Sequence, residues 1–103
     1  MDEEMQVLDG IETGAFVKDF ERTGASINDV PQYLLSLEVI GPDQKLYPAT
    51  VKHYIPYEEV TNLHYNYFMS VLVDPNQPQR VQVPPRSNHE HMQRVYNEYE
   101  ASY

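Results

Sequence analysis

Residues 31–55 read PQYLLSLEVIGPDQKLYPATVKHYI, and this stretch decides the fold. Apolar residues recur at every second position on both sides of a central break, a period that predicts two strands, each with one buried face: Tyr33, Leu35, Leu37 and Val39, then Tyr47, Ala49, Val51 and Ile55. The break, residues 41–44, is typical of a turn, because Pro42 fixes its φ and the Asp43 side chain can bond the backbone that follows. The stretch therefore predicts a β-hairpin.

Composition sets the size and the charge of the domain. A chain of 103 residues forms one domain around a single modest core. Lys and Arg together number 7 against 16 Asp and Glu, which gives a net charge of −9. This charge repels phosphate and anionic lipid, so we expect no nucleic-acid partner and no membrane-surface partner. The absence of cysteine excludes disulfides, thiolate catalysis and Cys-ligated zinc.

The chain contains no apolar run of about 18 residues, so no direct membrane insertion is expected. Its first residues are acidic and lack the apolar region of a signal peptide. These features predict a cytoplasmic protein.

The segments around the hairpin predict further strands and a short helix. The side chains of residues 11–22 alternate in direction as in a first strand, in which Gly14 marks a bulge or a close backbone approach. Residues 23–31 are predicted to form a connection rich in turn formers. Pro56 suits the first position of a short helix. Residues 68–73 form a short apolar run that predicts a strand, and residues 80–83 predict a final short strand. The predicted fold is mainly β, a small partly open β-barrel or bent antiparallel sheet of about five strands, with the short helix and a C-terminal α-helix.

Residues 87–103 form that C-terminal amphipathic helix, and residues 1–86 form the barrel-like domain with a short N-terminal lead-in. Ser87 and Glu90 have the spacing of a capping box. One helical face carries the apolar side chains Met92, Val95, Tyr96 and Tyr99, and Tyr103 follows it. A helix this short is marginal in isolation, so these five residues are predicted to pack against the barrel or to form an interface with a partner or a second copy.

Several motifs occur together between residues 10 and 84: Thr23-Gly24, the run from Ile27 to Pro31, Pro42-Asp43 with Tyr47, Ile55-Pro56, and VLVDPNQPQRV at residues 71–81. Together they resemble a family of small uncharacterised bacterial β-rich domains. Members of that family often occur beside membrane segments or a short C-terminal oligomerisation helix. The resemblance implies a compact barrel-like sheet and supplies no catalytic residues.

The motifs that suggest chemistry have simpler interpretations. His89 and His91 are two positions apart, and on a helix they point in different directions, so they cannot share a metal ion. Glu58 and Glu59 are adjacent, so on a helix their side chains also point apart, as expected for residues on a solvent-exposed face. The loop at Asp74 and Asn76 lacks the Gly and the distal Glu of a calcium loop. We therefore predict no catalytic residue, no metal and no cofactor.

Two functions remain. The first is a non-enzymatic binding or scaffold module that acts through protein–protein contacts, with a protein partner or by self-association, because nine tyrosines suit interfaces. The alternative is a small-molecule or glycan-binding, or even hydrolytic, domain with a site at the barrel mouth near His53, Tyr54, Tyr57 and His64. A concave pocket with convergent polar groups would favour the alternative, and a filled barrel with an exposed apolar patch would favour the first.

Overall fold

Five strands and two helices form the protein in a computed structural model that describes residues 10–84 and 89–102. In chain order they are β1 (Ile11–Ile27), β2 (Val30–Ile40), β3 (Leu46–Tyr54), α1 (Tyr57–Val60), β4 (Tyr67–Asp74), β5 (Gln77–Gln82) and α2 (His89–Ala101). The predicted mainly β fold with a short helix and a C-terminal helix is confirmed. The N-terminal lead-in, the Ser87 cap and Tyr103 lie outside the described residues.

The predicted hairpin is formed by β2 and β3. Leu35 lies opposite Val51 and Leu37 opposite Ala49, so the alternating apolar residues face the same side of the sheet. The turn is closed by the Gly41 N–H, which donates to the Lys45 carbonyl at 2.9 Å, and the Asp43 carboxylate accepts from the Lys45 N–H at 3.1 Å. The side chain of Asp43 thus stabilises the turn as expected.

The first strand is longer than predicted. Residues 23–27, expected to belong to a connection, continue β1 and pair with β2 as far as Ile27 opposite Val30. Asn28 and Asp29 both adopt positive φ, of 52° and 68°, which makes them the two central residues of a tight hairpin turn. Asn and Asp tolerate this conformation because their short polar side chains bond locally.

The sheet curls until its two edges meet. The strand order is β3-β2-β1-β4-β5, and every hydrogen-bonded pair is antiparallel, so β3 and β5 run parallel to each other. These two edge strands lie side by side, and the Tyr47 hydroxyl donates across the gap to the Pro78 carbonyl at 2.9 Å. The result is a nearly closed, barrel-like sheet, an architecture that by itself implies no function.

The interior of the barrel is filled by its own side chains. Leu35, Val17, Val39 and Val71 are at most 1% exposed, and the other buried core residues are Ala15, Tyr33, Leu37, Ala49, Ile55, Val73 and Val81. Val60 of α1 and Leu63 of the loop after it pack against this core and cover one end of the barrel. We call this the α1 end. The opposite end carries the β2–β3 turn (residues 41–45) and the β4–β5 turn (residues 75–76), and we call it the turn end.

The helix α2 packs on the outer face of β1 and β4. Phe16 and Phe68 are opposite each other on these strands, with ring centroids 5.1 Å apart. The Tyr99 ring lies 5.6 Å from Phe16 and the Tyr96 ring 5.1 Å from Phe68. This cluster of four rings, which we call the aromatic cluster, buries the apolar face that the sequence assigned to the helix.

Gly14 makes that packing possible. A Cβ atom at this position would collide with the Phe68 ring and would lie 3.3 Å from the Met92 methyl group. The predicted close approach at Gly14 is therefore observed, and the irregular register of β1 occurs elsewhere, between Val17 and Asp19 and between Arg22 and Ser26.

Candidate functional site

The tail residues predicted as an interface take part in packing within the chain. Met92 and Tyr99 are 8% and 7% exposed, and Tyr96 belongs to the aromatic cluster. Val95 is half-buried and faces the turn end. While α2 is docked, Met92 and Tyr99 are therefore not available to a partner.

The four residues predicted to line a pocket all lie at the α1 end. His53 and Tyr54 end β3, Tyr57 begins α1, and His64 follows in the loop. Tyr57 is 74% exposed, and the His64 ring lies edge-on against Tyr67, with 5.5 Å between the ring centroids. None of the four lines either of the two cavities described below.

At the α1 end, the protein environment shifts the pKa of His53. Burial lowers the pKa of His53, and the negative charge of Glu59 on α1 opposes that effect. His53 is half-buried and lies opposite Tyr33 on β2. The folded state therefore favours its neutral imidazole.

We expect the His53→Gln variant to lose part of the acid sensitivity of the wild type. Because the pKa of His53 is lower in the folded than in the unfolded chain, the unfolded chain binds the proton more readily, and stability falls as the pH drops through the ordinary pKa of about 6.5. Urea unfolding at pH 7.5 and pH 5 measures this loss in both proteins. Glu59→Gln should make the fall steeper, and an equal fall in wild type and His53→Gln would contradict the assignment.

A polar cluster that the sequence did not predict lies beneath α2. The Ser70 hydroxyl donates to the Glu12 carboxylate, and the His91 Nε2 lies 3.1 Å from the Glu12 carbonyl oxygen. The imidazole contacts the main chain of β1, and Ser70 is only 6% exposed, so these contacts anchor α2 on the barrel.

Two cavities border α2. The larger, a groove of about 570 Å³, runs between α2 and β4 and includes Phe68, Ser70 and Pro84. Pro84 is the last described residue before the gap at residues 85–88.

The smaller cavity, of about 260 Å³, lies at the turn end, and we call it the turn-end cavity. Its walls come from the start of β1, the two turns, Tyr47 and α2; the lining residues are Ile11, Glu12, Thr13, Ile40, Gly41, Pro42, Gln44, Tyr47, Val73, Pro75, Pro78, Val95 and Glu98. Burial raises the pKa of the Tyr47 hydroxyl, so it stays protonated as the donor to Pro78. Sequence patterns could not have indicated this cavity, because its walls come from segments far apart in the chain.

Four large apolar side chains are exposed to solvent in the described part of the chain. Three lie in segments at the α1 end, where Tyr57 is 74% exposed, Tyr65 67% and Ile27 53%, and Ile11 at the turn end is 59% exposed. Sequence analysis named only Tyr57 as a site residue. An exposed tyrosine offers a partner a large apolar ring with a polar tip.

Within residues 10–84 and 89–102, no three His, Asp or Glu side chains come together as a metal site. Neither helix in those ranges combines the length and the apolar character required to cross a bilayer.

Comparisons with protein-family models, with curated proteins and with solved structures find no match for this chain. The resemblance to small bacterial β-rich domains therefore stays a prediction, and the function has to be inferred from the geometry.

Proposed function

We propose that the protein is a non-enzymatic binding module that contacts another protein through its α1 end. The observation that carries this proposal is the exposure of Ile27, Tyr57 and Tyr65 at the end of a barrel whose interior is already filled. Because side chains fill the interior, we expect a partner to bind on the outer surface of the barrel. Tyrosine is enriched at the centre of protein interfaces because it buries a large apolar area and keeps a polar tip.

The fold orders the Tyr65 side chain and the main chain close to Tyr57. The Tyr65 ring lies under the Lys18 ammonium group, 4.5 Å from the ring centroid. The neighbouring Asn66 N–H donates to the Val17 carbonyl at 2.7 Å, which anchors the loop to β1. Tyr57 follows Ile55, whose N–H donates to the Pro31 carbonyl at 3.0 Å. Groups ordered before binding lose less conformational entropy when the partner arrives.

The charge of this end indicates the chemistry of the partner. Glu58 and Glu59 follow Tyr57 directly, and Asp29 stands at the turn beside Ile27. A second copy would bring the same acidic groups and a net charge of −9, which disfavours self-association. The partner is therefore a different protein that presents Lys or Arg around an apolar patch.

Main-chain pairing along β1 is a weaker basis for binding. Beyond Val17, β1 is not paired with β4, but this edge is interrupted by the two register shifts. The Phe20 N–H is bonded by the Asp19 carboxylate and the Ala25 N–H by the Thr23 hydroxyl. Irregular edges of this kind prevent strand addition, so side chains are expected to provide the contact.

Affinity capture on the immobilised full chain tests the proposal. A specific partner from the lysate of the source cells should be retained by the wild type and reduced about tenfold or more by Tyr57→Ser with Tyr65→Ser, since central interface tyrosines each contribute about 2 kcal/mol. The matched control is Gln93→Ser with Asn97→Ser, which removes two exposed side chains on α2. Retention that is unchanged in the tyrosine variant, or lost equally in the control, would refute this surface.

A further inference from the structure

We propose that the turn-end cavity binds a small, neutral, apolar molecule that carries one hydroxyl group. The cavity is distinct from the α1 end, since it lies at the other end of the barrel, so this binding is independent of the protein contact proposed above. The lining, the size and one buried polar atom support it.

The lining selects apolar ligands. Ile11, Ile40, Val73 and Val95 contribute aliphatic surface. The wall is completed by Pro42 and Pro75 of the two turns and by Pro78 of β5. A volume of about 260 Å³ accommodates roughly nine non-hydrogen atoms at ~30 Å³ each. This is the size of a small aromatic or aliphatic alcohol and lies just below the usual range of ligand pockets.

The polar groups at the cavity disfavour other classes of ligand. Glu98 of α2 borders it, which disfavours an anionic ligand, while the Glu12 carboxylate is bonded to Ser70. A glycan would bring many hydroxyl groups that need partners, while the Tyr47 hydroxyl already donates to Pro78 and the Thr13 hydroxyl to the Ile40 carbonyl at 3.0 Å. A neutral ligand with a single donor fits this set of groups.

Gln44 supplies the acceptor for that donor. Its side-chain Oε1 is buried and has no hydrogen-bond partner among the described residues, and such an atom normally finds one. The residue borders the cavity, and the terminal torsion of a glutamine has a broad, low-energy range. We infer that rotation about that torsion brings Oε1 to the cavity wall, where a hydroxyl group can donate to it.

The position of the cavity couples the ligand to the helix. Val95 and Glu98 of α2 form one wall, and the β2–β3 turn with Gln44 forms another. A molecule bound between them contacts both elements, and because it binds the folded state it also stabilises the docking of α2.

NMR titration of the full chain with benzyl alcohol and with toluene tests the proposal. We expect saturable shifts of the Thr13, Ile40 and Gln44 amides, a dissociation constant for benzyl alcohol in the millimolar range, and about fivefold weaker binding of toluene, which lacks the hydroxyl group. Gln44→Met should abolish this fivefold preference and leave toluene binding unchanged. Gln93→Met, the same replacement outside the cavity, should preserve the preference.

A second variant keeps the test decisive. Val95→Phe fills the cavity, and it should abolish binding of both probes while the amide spectrum of the barrel stays folded. The proposal is overturned if neither probe shifts these amides, or if Gln44→Met keeps the preference. It is also overturned if the same amides shift with protein concentration alone and a dimer sediments, since the cavity would then belong to a second copy.

Discussion

Replacing Leu35 by alanine is expected to lower the free energy of unfolding by about 2–5 kcal/mol, as other deletions from a packed core do. Leu35 is 1% exposed and lies in the barrel interior, opposite Phe20 on β1 and Val51 on β3. Removing three carbons there leaves a cavity in the middle of the curled sheet, because strands on both sides hold the backbone in place and prevent collapse. The measurement is urea unfolding followed by far-UV circular dichroism.

The neighbouring Leu34 provides the matched control. It is half-buried and its side chain points to the opposite face of β2, so Leu34→Ala should cost clearly less. If the two variants lost equal stability, the register of the hairpin and the filled interior would both be wrong. The proposal of a protein-binding surface would then lose its main support.

Replacing Gly14 by valine is expected to detach α2 from the barrel. The new Cβ would collide with the Phe68 ring, which is confined between Phe16 and Tyr96. Overpacking of this kind costs about 1–3 kcal/mol, and the helix can relieve it by moving away. Amide hydrogen exchange should show loss of protection throughout α2, with the β2–β3 amides remaining protected.

A double-mutant cycle identifies the collision as the cause. Phe68→Ala removes the ring that the new side chain would meet, so Gly14→Val combined with Phe68→Ala should be less destabilised than the sum of the two single variants. Additive losses would show that Gly14 is required for a reason other than the approach of Phe68. Exposure of Phe16 after detachment would also create a new apolar surface, measurable as increased dye binding or self-association.

The local structure of the hairpin and of α2 followed from the sequence. The period of two in residues 32–40 and 46–55 fixes which side chains share a face, and Pro42 with Asp43 fixes the turn. The i, i+3, i+4, i+7 spacing in α2 placed Met92 and Tyr99 on the buried face. These features depend on neighbouring residues and backbone sterics, so they are readable from a short window of sequence.

The end of β1 differs from the sequence prediction because strand pairing opposes the local preference for a loop. Residues 23–29 are rich in turn formers, which favours a loop, yet only Asn28 and Asp29 form the turn, and β2 provides the hydrogen bonds that extend β1 to Ile27. Pairing with another strand overrode the local preference.

Local sequence patterns are sufficient to specify the hairpin, the amphipathic helix and an acidic chain with one β-rich core. Long-range packing sets how the sheet closes, through Tyr47 and Pro78, how Gly14 admits α2, and which segments enclose the turn-end cavity around Gln44. The difference arises from separation along the chain. Periodicity specifies a face but not the surface that will cover it, and contacts between residues tens of positions apart are chosen by the packing of the whole barrel.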